Sequence, residues 1–146
     1  MKSFYPKAQD ELVKKSWHIV DLKGKPLGRS TTEIARILLG KNKPTYTPGA
    51  DTGDFVIAIN SDKIALTGRK WDEKVYYRHT GYMGGIREIT AKKQLEKDST
   101  EIVYAAVKGM LPKNIWGRKL LGKLKVYKTD VHPHGAQKPQ SLELAS

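Results

Sequence analysis

The sequence predicts a single α/β domain on a parallel or mixed sheet, and three features carry that prediction. Phe55-Val56-Ile57-Ala58-Ile59 is a continuous apolar run of strand length. Such a run belongs to a strand buried on both faces, as in parallel sheets. Trp17-His18-Ile19-Val20-Asp21 has the look of a second short buried strand. Between the two, apolar residues recur at helical spacing, so strand, helix and strand follow within about 45 residues and make a βαβ unit. A chain of 146 residues fits one domain with short extensions.

The elements follow in order. Lys23-Gly24-Lys25-Pro26 is a turn after the first strand. Leu27, Thr31, Ile34 and Leu38 then share one helix face, with Ala35 beside them. Gly40 closes that helix at the position that favours a left-handed residue. Residues 41–53 hold Pro44, Pro48, Gly49 and Gly53 and read as loop. After the apolar strand, Ile64-Ala65-Leu66 reads as another short strand, ended by Thr67-Gly68, and Val75-Tyr76-Tyr77 has strand propensity. Thr80 to Gly85 is a glycine-rich loop. Thr90 is placed to cap a helix through about Lys97, and Ser99 a second, with Ile102, Val103, Ala106, Val107 and Met110 facing inward. Pro112 and Gly117 break that pattern, and Leu120 to Tyr127 fits a last helical turn followed by a strand. From Thr129 the chain turns polar, and Pro133, Gly135 and Pro139 suggest an extended tail. The expected organisation is an N-terminal extension over 1–14, one α/β domain over 15–128 and a C-terminal tail over 129–146.

Charge narrows the function. The chain carries 27 Lys and Arg against 15 Asp and Glu, a formal net charge of +12. Seven of those cations lie between Ile102 and Thr129, where there is no acid. An excess of this size calls for a polyanionic partner or a heavily solvated surface. A membrane-binding helix would set a basic face against a large apolar one, and none shows a strong contrast. No apolar run approaches the ~18 residues of a membrane span, and Met1 to Lys15 lacks the apolar stretch of a secretory signal. There is no cysteine, which removes disulfides, thiolate zinc sites and a cysteine nucleophile and fits a reducing compartment.

Each candidate chemistry stands beside a plainer reading. Gly24 to Ser30 lies between strand and helix, where dinucleotide folds place a phosphate loop, so a nucleotide-binding α/β enzyme is the alternative function. Neither G-x-G-x-x-G nor G-x-x-x-x-G-K-[ST] is present, and a tight βα turn explains the residues as well. Free N–H groups at the helix start beside Arg29 could instead hold a backbone phosphate. His132-Pro133-His134 offers two metal ligands without an evident third; a solvated tail or imidazoles against RNA are the other readings. His18 reads as structural, and Asp54, near Asp51, as a cap or turn residue. No G-x-S-x-G elbow exists for a serine nucleophile. Lys70 to His79 and Trp116 to Lys128 interleave cations with aromatics. Cations neutralise phosphates and aromatic planes stack on unpaired bases; core filling by the aromatics and solvation by the lysines is the bland reading. Gly81, Gly84 and Gly85 expose backbone to which a phosphate-ribose chain can come close.

With these residues in place the chain resembles the L-thirteen family of large-subunit ribosomal proteins, in its bacterial or organellar form. The matching motifs run collinearly over roughly residues 15–140. They are Trp17 to Asp21, Leu27-Gly28-Arg29, Gly40-Lys41-Asn42-Lys43 and Asp51 to Ile57. Thr67-Gly68-Arg69-Lys70, His79-Thr80-Gly81-Tyr82, Ala106 to Asn114, Lys123 to Tyr127 and His132 to Pro139 follow. Met83 departs from the proline usual in the family's glycine loop, and Trp116 from a leucine. The resemblance implies a three-layer α/β/α fold with a parallel sheet of about four strands. It implies binding to large-subunit rRNA beside neighbouring large-subunit ribosomal proteins, a role early in subunit assembly, and a place in the cytoplasm or an organellar ribosome. It implies no catalysis, no cofactor, no metal, no membrane and no small-molecule substrate. Motif match and charge together make the expected RNA contacts Arg29, Lys41, Lys43, Arg69, Lys70, Lys74, Arg78 and His79, with Gly81, Gly84 and Gly85. Further along they are Lys108, Lys113, Asn114, Arg118, Lys119, Lys123, Lys125, His132 and His134.

Overall fold

The computed structural model describes residues 5–6 and 14–143; most of the expected N-terminal extension and the last residues of the tail lie outside them. Strand β1 (Trp17–Asp21) leads into helix α1 (Leu27–Leu39), and β2 (Phe55–Ile59) completes the expected βαβ unit. A 3-10 turn at Ser61–Lys63 and the short helix α2 (Lys70–Glu73) come next, then β3 (Val75–His79) and β4 (Ile86–Thr90). Helices α3 (Ala91–Met110) and α4 (Ile115–Leu121) precede β5 (Leu124–Val126), a second 3-10 turn at Gly135–Gln137 and β6 (Gln140–Ser141).

Four strands form a sheet in the order β5-β2-β1-β6, and every pairing in it is parallel. Right-handed crossovers from β1 to β2 and from β2 to β5 step in one direction, which places α1, α3 and α4 on one face. These helices pack on one another. Their core takes Ile34, Leu38, Ile102, Val103, Val107 and Leu120 from the helices and Val20, Val56, Ala58 and Leu124 from the sheet. Each fully buried large aliphatic contributes roughly 1.5–3 kcal/mol. The return from β5 to β6 steps the other way and covers the opposite face. There the rings of Trp17 and Phe55 stack at 4.4 Å, and His134 lies against Trp17 at 5.2 Å. The third layer is therefore the C-terminal segment.

Helix α1 ends as its sequence requires. Gly40 takes φ +80°, and the amides of Gly40 and Lys41 donate to the carbonyls of Ile37 and Arg36 at 3.0 Å each. These two bonds make a Schellman motif. A side chain at Gly40 would also meet Thr52 Oγ1 at 2.5 Å, so the loop over 41–53 lies directly on the helix end.

Several expectations are corrected. Ile64-Ala65-Leu66 is not a strand: it makes one parallel bridge, Ala65 to Pro26. Pro26 has no N–H to extend a ladder and α1 starts at the next residue, so pairing stops there. Val75-Tyr76-Tyr77 is a strand as expected, but it pairs in a separate antiparallel hairpin with β4, whose exposed sequence gave no strand signal. Asp98 breaks α3 (φ −158°, ψ 103°) where two helices were expected to meet. The cap of the second is Asp98 rather than Ser99: its carboxylate accepts from the Thr100 amide at 3.1 Å and hydroxyl at 2.8 Å. Ser99 is buried, its hydroxyl 2.9 Å from that of Ser61. Met110 is exposed rather than inward. Gly117 lies inside α4, where an added Cβ would sit 1.8 Å from the Pro112 carbonyl oxygen. The polar stretch after Thr129 returns to the sheet edge, where His18 and Ile19 pair with Gln140 and Ser141.

Candidate nucleic-acid interface

The distribution of acids decides which cations face outward. Asp54 is 1% exposed. Its carboxylate accepts from the Ser16 amide at 2.8 Å, Lys43 Nζ at 2.5 Å and His18 Nε2 at 3.2 Å. Burial pushes its pKa up, but the bonds from His18, Lys43 and Ser16 and the charge of Lys43 outweigh this and hold it below the ordinary 3.8. Asp51 pairs with Lys123 and, at 2.6 Å, with Lys15. Burial opposes ionisation there too, and the two lysines hold the carboxyl below its ordinary range. Lys123 is 6% exposed and also donates to the Gly53 carbonyl at 3.2 Å. Two lysines expected at an RNA surface, Lys43 and Lys123, therefore tie the 41–53 loop to the sheet. His18 is structural as expected, and Asp54 is a hub joining three segments rather than a simple cap.

The first cationic surface is the β3–β4 hairpin with α2. Arg69, Lys70, Lys74, Arg78 and His79 are all exposed there. Lys70 donates to Thr67 Oγ1 at 3.2 Å, and the Lys74 ammonium lies 5.2 Å from the Tyr76 ring centre. The strand register sets Arg78 directly opposite Arg87, and like charges so placed are destabilising in an isolated hairpin. Arg87 was missed because the second strand was missed. At the tip, His79 Nδ1 accepts from the Gly81 amide at 3.0 Å. Gly84 takes φ +70°, and a Cβ on Gly85 would meet Thr80 Oγ1 at 2.0 Å. Tyr77 and Tyr82 stand beside these cations 64% and 80% exposed, and Met83 is fully exposed.

The second surface lies where α3 ends and α4 begins. Lys108, Lys113, Arg118 and Lys119 are exposed, and Lys125 is half-buried on edge strand β5. Among the described residues none of these five forms an ion pair. Asn114 has a structural duty: its side-chain oxygen accepts from the Gly117 amide at 2.8 Å and caps α4. Arg29 is exposed on α1 and one turn before Thr32, whose hydroxyl is 3.8 Å from Met110 Sδ at the end of α3. Arg29 thus borders this surface. Lys41 is exposed at the far end of α1.

His132 and His134 are folded in. His134 Nε2 is 2.7 Å from the Tyr127 hydroxyl, and the His134 amide donates to His132 Nδ1 at 3.2 Å. With Trp17 they pin the C-terminal segment to the sheet. The turn over 24–30 is stitched to its neighbour: the Gly24 amide donates to the Lys63 carbonyl at 2.8 Å and that of Leu27 to the Ala65 carbonyl at 2.9 Å. Among the described residues no three His, Asp or Glu gather to hold a metal, and no helix is long and apolar enough to cross a membrane.

A family model described as "Ribosomal protein L13" matches residues 15–133. The "Large ribosomal subunit protein uL13" of Thermotoga maritima is 56% identical over 134 residues, 92% of this chain and 90% of that protein. Its namesake in Geobacter sp. (strain M21) is 56% identical over 137 residues, covering 94% and 96%. That of Desulfotalea psychrophila is 54% identical over 132 residues, covering 90% and 93%.

Proposed function

Because this chain belongs to the ribosomal protein L13 family, we propose that it is a non-catalytic constituent of the large ribosomal subunit, working in translation. In this reading it binds large-subunit rRNA, sits beside other large-subunit proteins in the cytoplasm, and assists early subunit assembly. One observation carries the reading. The acids Asp51 and Asp54 are paired with Lys15, Lys43 and Lys123, while the cations of the α2–hairpin surface, which outnumber its exposed acids Asp72, Glu73 and Glu88, and those of the α3–α4 surface are left facing solvent. A polyanion that meets both surfaces at once relieves their self-repulsion, the Arg78–Arg87 juxtaposition included. RNA segments that repel each other can then be held together across the protein. Folded RNA is read by phosphate position and shape more than by base edges, which suits arginines and lysines on rigid elements.

The test is affinity for purified large-subunit rRNA against salt. Log affinity should fall linearly with log salt, by ~0.7–0.9 for each phosphate neutralised. About six to ten contacts would cost roughly 10³–10⁵ in affinity between 50 and 200 mM salt. A flat response would refute the electrostatic clamp.

A further inference from the structure

Gly109 has no internal reason to be glycine. It is exposed in the last turn of α3, and a Cβ built on it meets no atom within 4 Å. Glycine in a helix is less favourable than alanine, and nothing packed against this position requires the bare backbone. Gly109 lines a groove of about 560 Å³, together with Tyr104, Ala105 and Leu121. The groove runs on past Leu111, Pro112 and Gly117. Lys108, Lys113 and Arg118 stand along it, and Glu101 at one end is the single acid among the described lining residues. Tyr104 is held in place: its hydroxyl donates to the Leu124 carbonyl at 3.0 Å.

An apolar floor with a cationic rim suits a partner that carries both a flat apolar face and negative charge. A duplex offers phosphates and hydroxyls but no apolar face to the floor. An unpaired nucleotide offers both, a base plane and the flanking phosphates. On the RNA-binding reading above, we propose that this groove receives an unpaired nucleotide of an RNA strand. Its base lies against Tyr104 and Leu121, its backbone passes over Gly109, and its phosphates meet Lys108, Lys113 and Arg118. Glu101 accepts from a base amino group or a 2′-hydroxyl.

Gly109→Leu is the decisive variant, because it fills the groove, changes no charge and favours the helix. Fluorescence anisotropy with the full chain compares three probes: a labelled single-stranded octaribonucleotide, the same strand annealed to its complement, and large-subunit rRNA. The variant should bind the single strand roughly tenfold or more weakly, in the range for loss of a stacked base. Duplex affinity and the salt slope on rRNA should stay as in the parent, and the melting temperature should be equal or higher. Tyr104→Ala should weaken single-strand binding similarly, and Tyr104→Phe should restore most of it. Parental single-strand binding by Gly109→Leu, with rRNA still bound, overturns the groove while the RNA-binding reading stands. Absence of binding to all three probes by the parent chain overturns both. Loss of a purified neighbouring ribosomal protein with single-strand binding intact reassigns the groove to a protein segment and overturns the proposal.

Discussion

Lys123→Met separates a lysine that builds the fold from those that face RNA. The ammonium is almost wholly buried, pairs with Asp51 and donates to the Gly53 carbonyl. Removing one partner of a buried pair costs roughly 3–5 kcal/mol. Here Asp51 retains Lys15 at 2.6 Å, which recovers part of that, while the Gly53 carbonyl loses a hydrogen bond worth about 1 kcal/mol. Methionine keeps most of the aliphatic volume, so no large cavity opens. The net cost should be about 2–3 kcal/mol. For a chain of this size, at about 2–4 °C per kcal/mol, the melting temperature should fall by about 4–12 °C. Thermal unfolding followed by circular dichroism reads the shift. Filter binding to rRNA, at a temperature where both proteins are folded, should give affinities within about twofold and the same salt slope. An unchanged melting temperature with a salt slope reduced by about one phosphate would refute the reasoning and put Lys123 on the RNA.

The reverse pattern is expected for Arg118→Ala with Lys119→Ala. Two exposed cations without ion pairs should weaken rRNA binding and lower the salt slope by about 1.4–1.8, leaving the melting temperature nearly unchanged; a large loss of stability in unfolding experiments would count against it. Gly117→Ala should destabilise by more than about 2 kcal/mol, because the new methyl overlaps the Pro112 carbonyl oxygen and backbone must move; denaturant unfolding that matches the parent would show that the α3–α4 turn yields freely. Stability should also fall in acid. Asp54 and Asp51 are held below the ordinary 3.8 in the folded chain, so as the pH drops through that value the unfolded state takes up protons that the folded state does not, and stability is lost progressively down through the folded pKa values. Asp54→Asn should lower stability at neutral pH and flatten this acid limb; parallel limbs in parent and variant would contradict the assignment.

The βαβ unit was legible because each part carried its own signal: an uninterrupted apolar run for β2, a helical stripe ending at Gly40 for α1. Strand β6 was not, since Gln140 and Ser141 are polar and pair only because His134 and Tyr127 anchor the segment that precedes them. The hairpin was half legible. Val75 to Tyr77 announced a strand, but Ile86-Arg87-Glu88-Ile89-Thr90 has no buried face to impose apolar alternation on it. Basic motifs located both cationic surfaces, yet a lysine's destination depends on acids brought from far along the chain. Asp51 lies 72 positions from Lys123, and Asp54 meets Lys43 only because the loop folds back on α1. Tyr104 escaped notice for a similar reason. It falls between the apolar positions of the inward stripe and drew no assignment, whereas β5 holds it at the floor of an open groove.

Sedimentation of a cell lysate through a sucrose gradient, before and after a high-salt wash, tests the central claim most directly. The account predicts that this chain travels with the large subunit at low salt, and that the fraction the wash releases grows steeply with its salt concentration. Recovery near the top of the gradient in both conditions would contradict it.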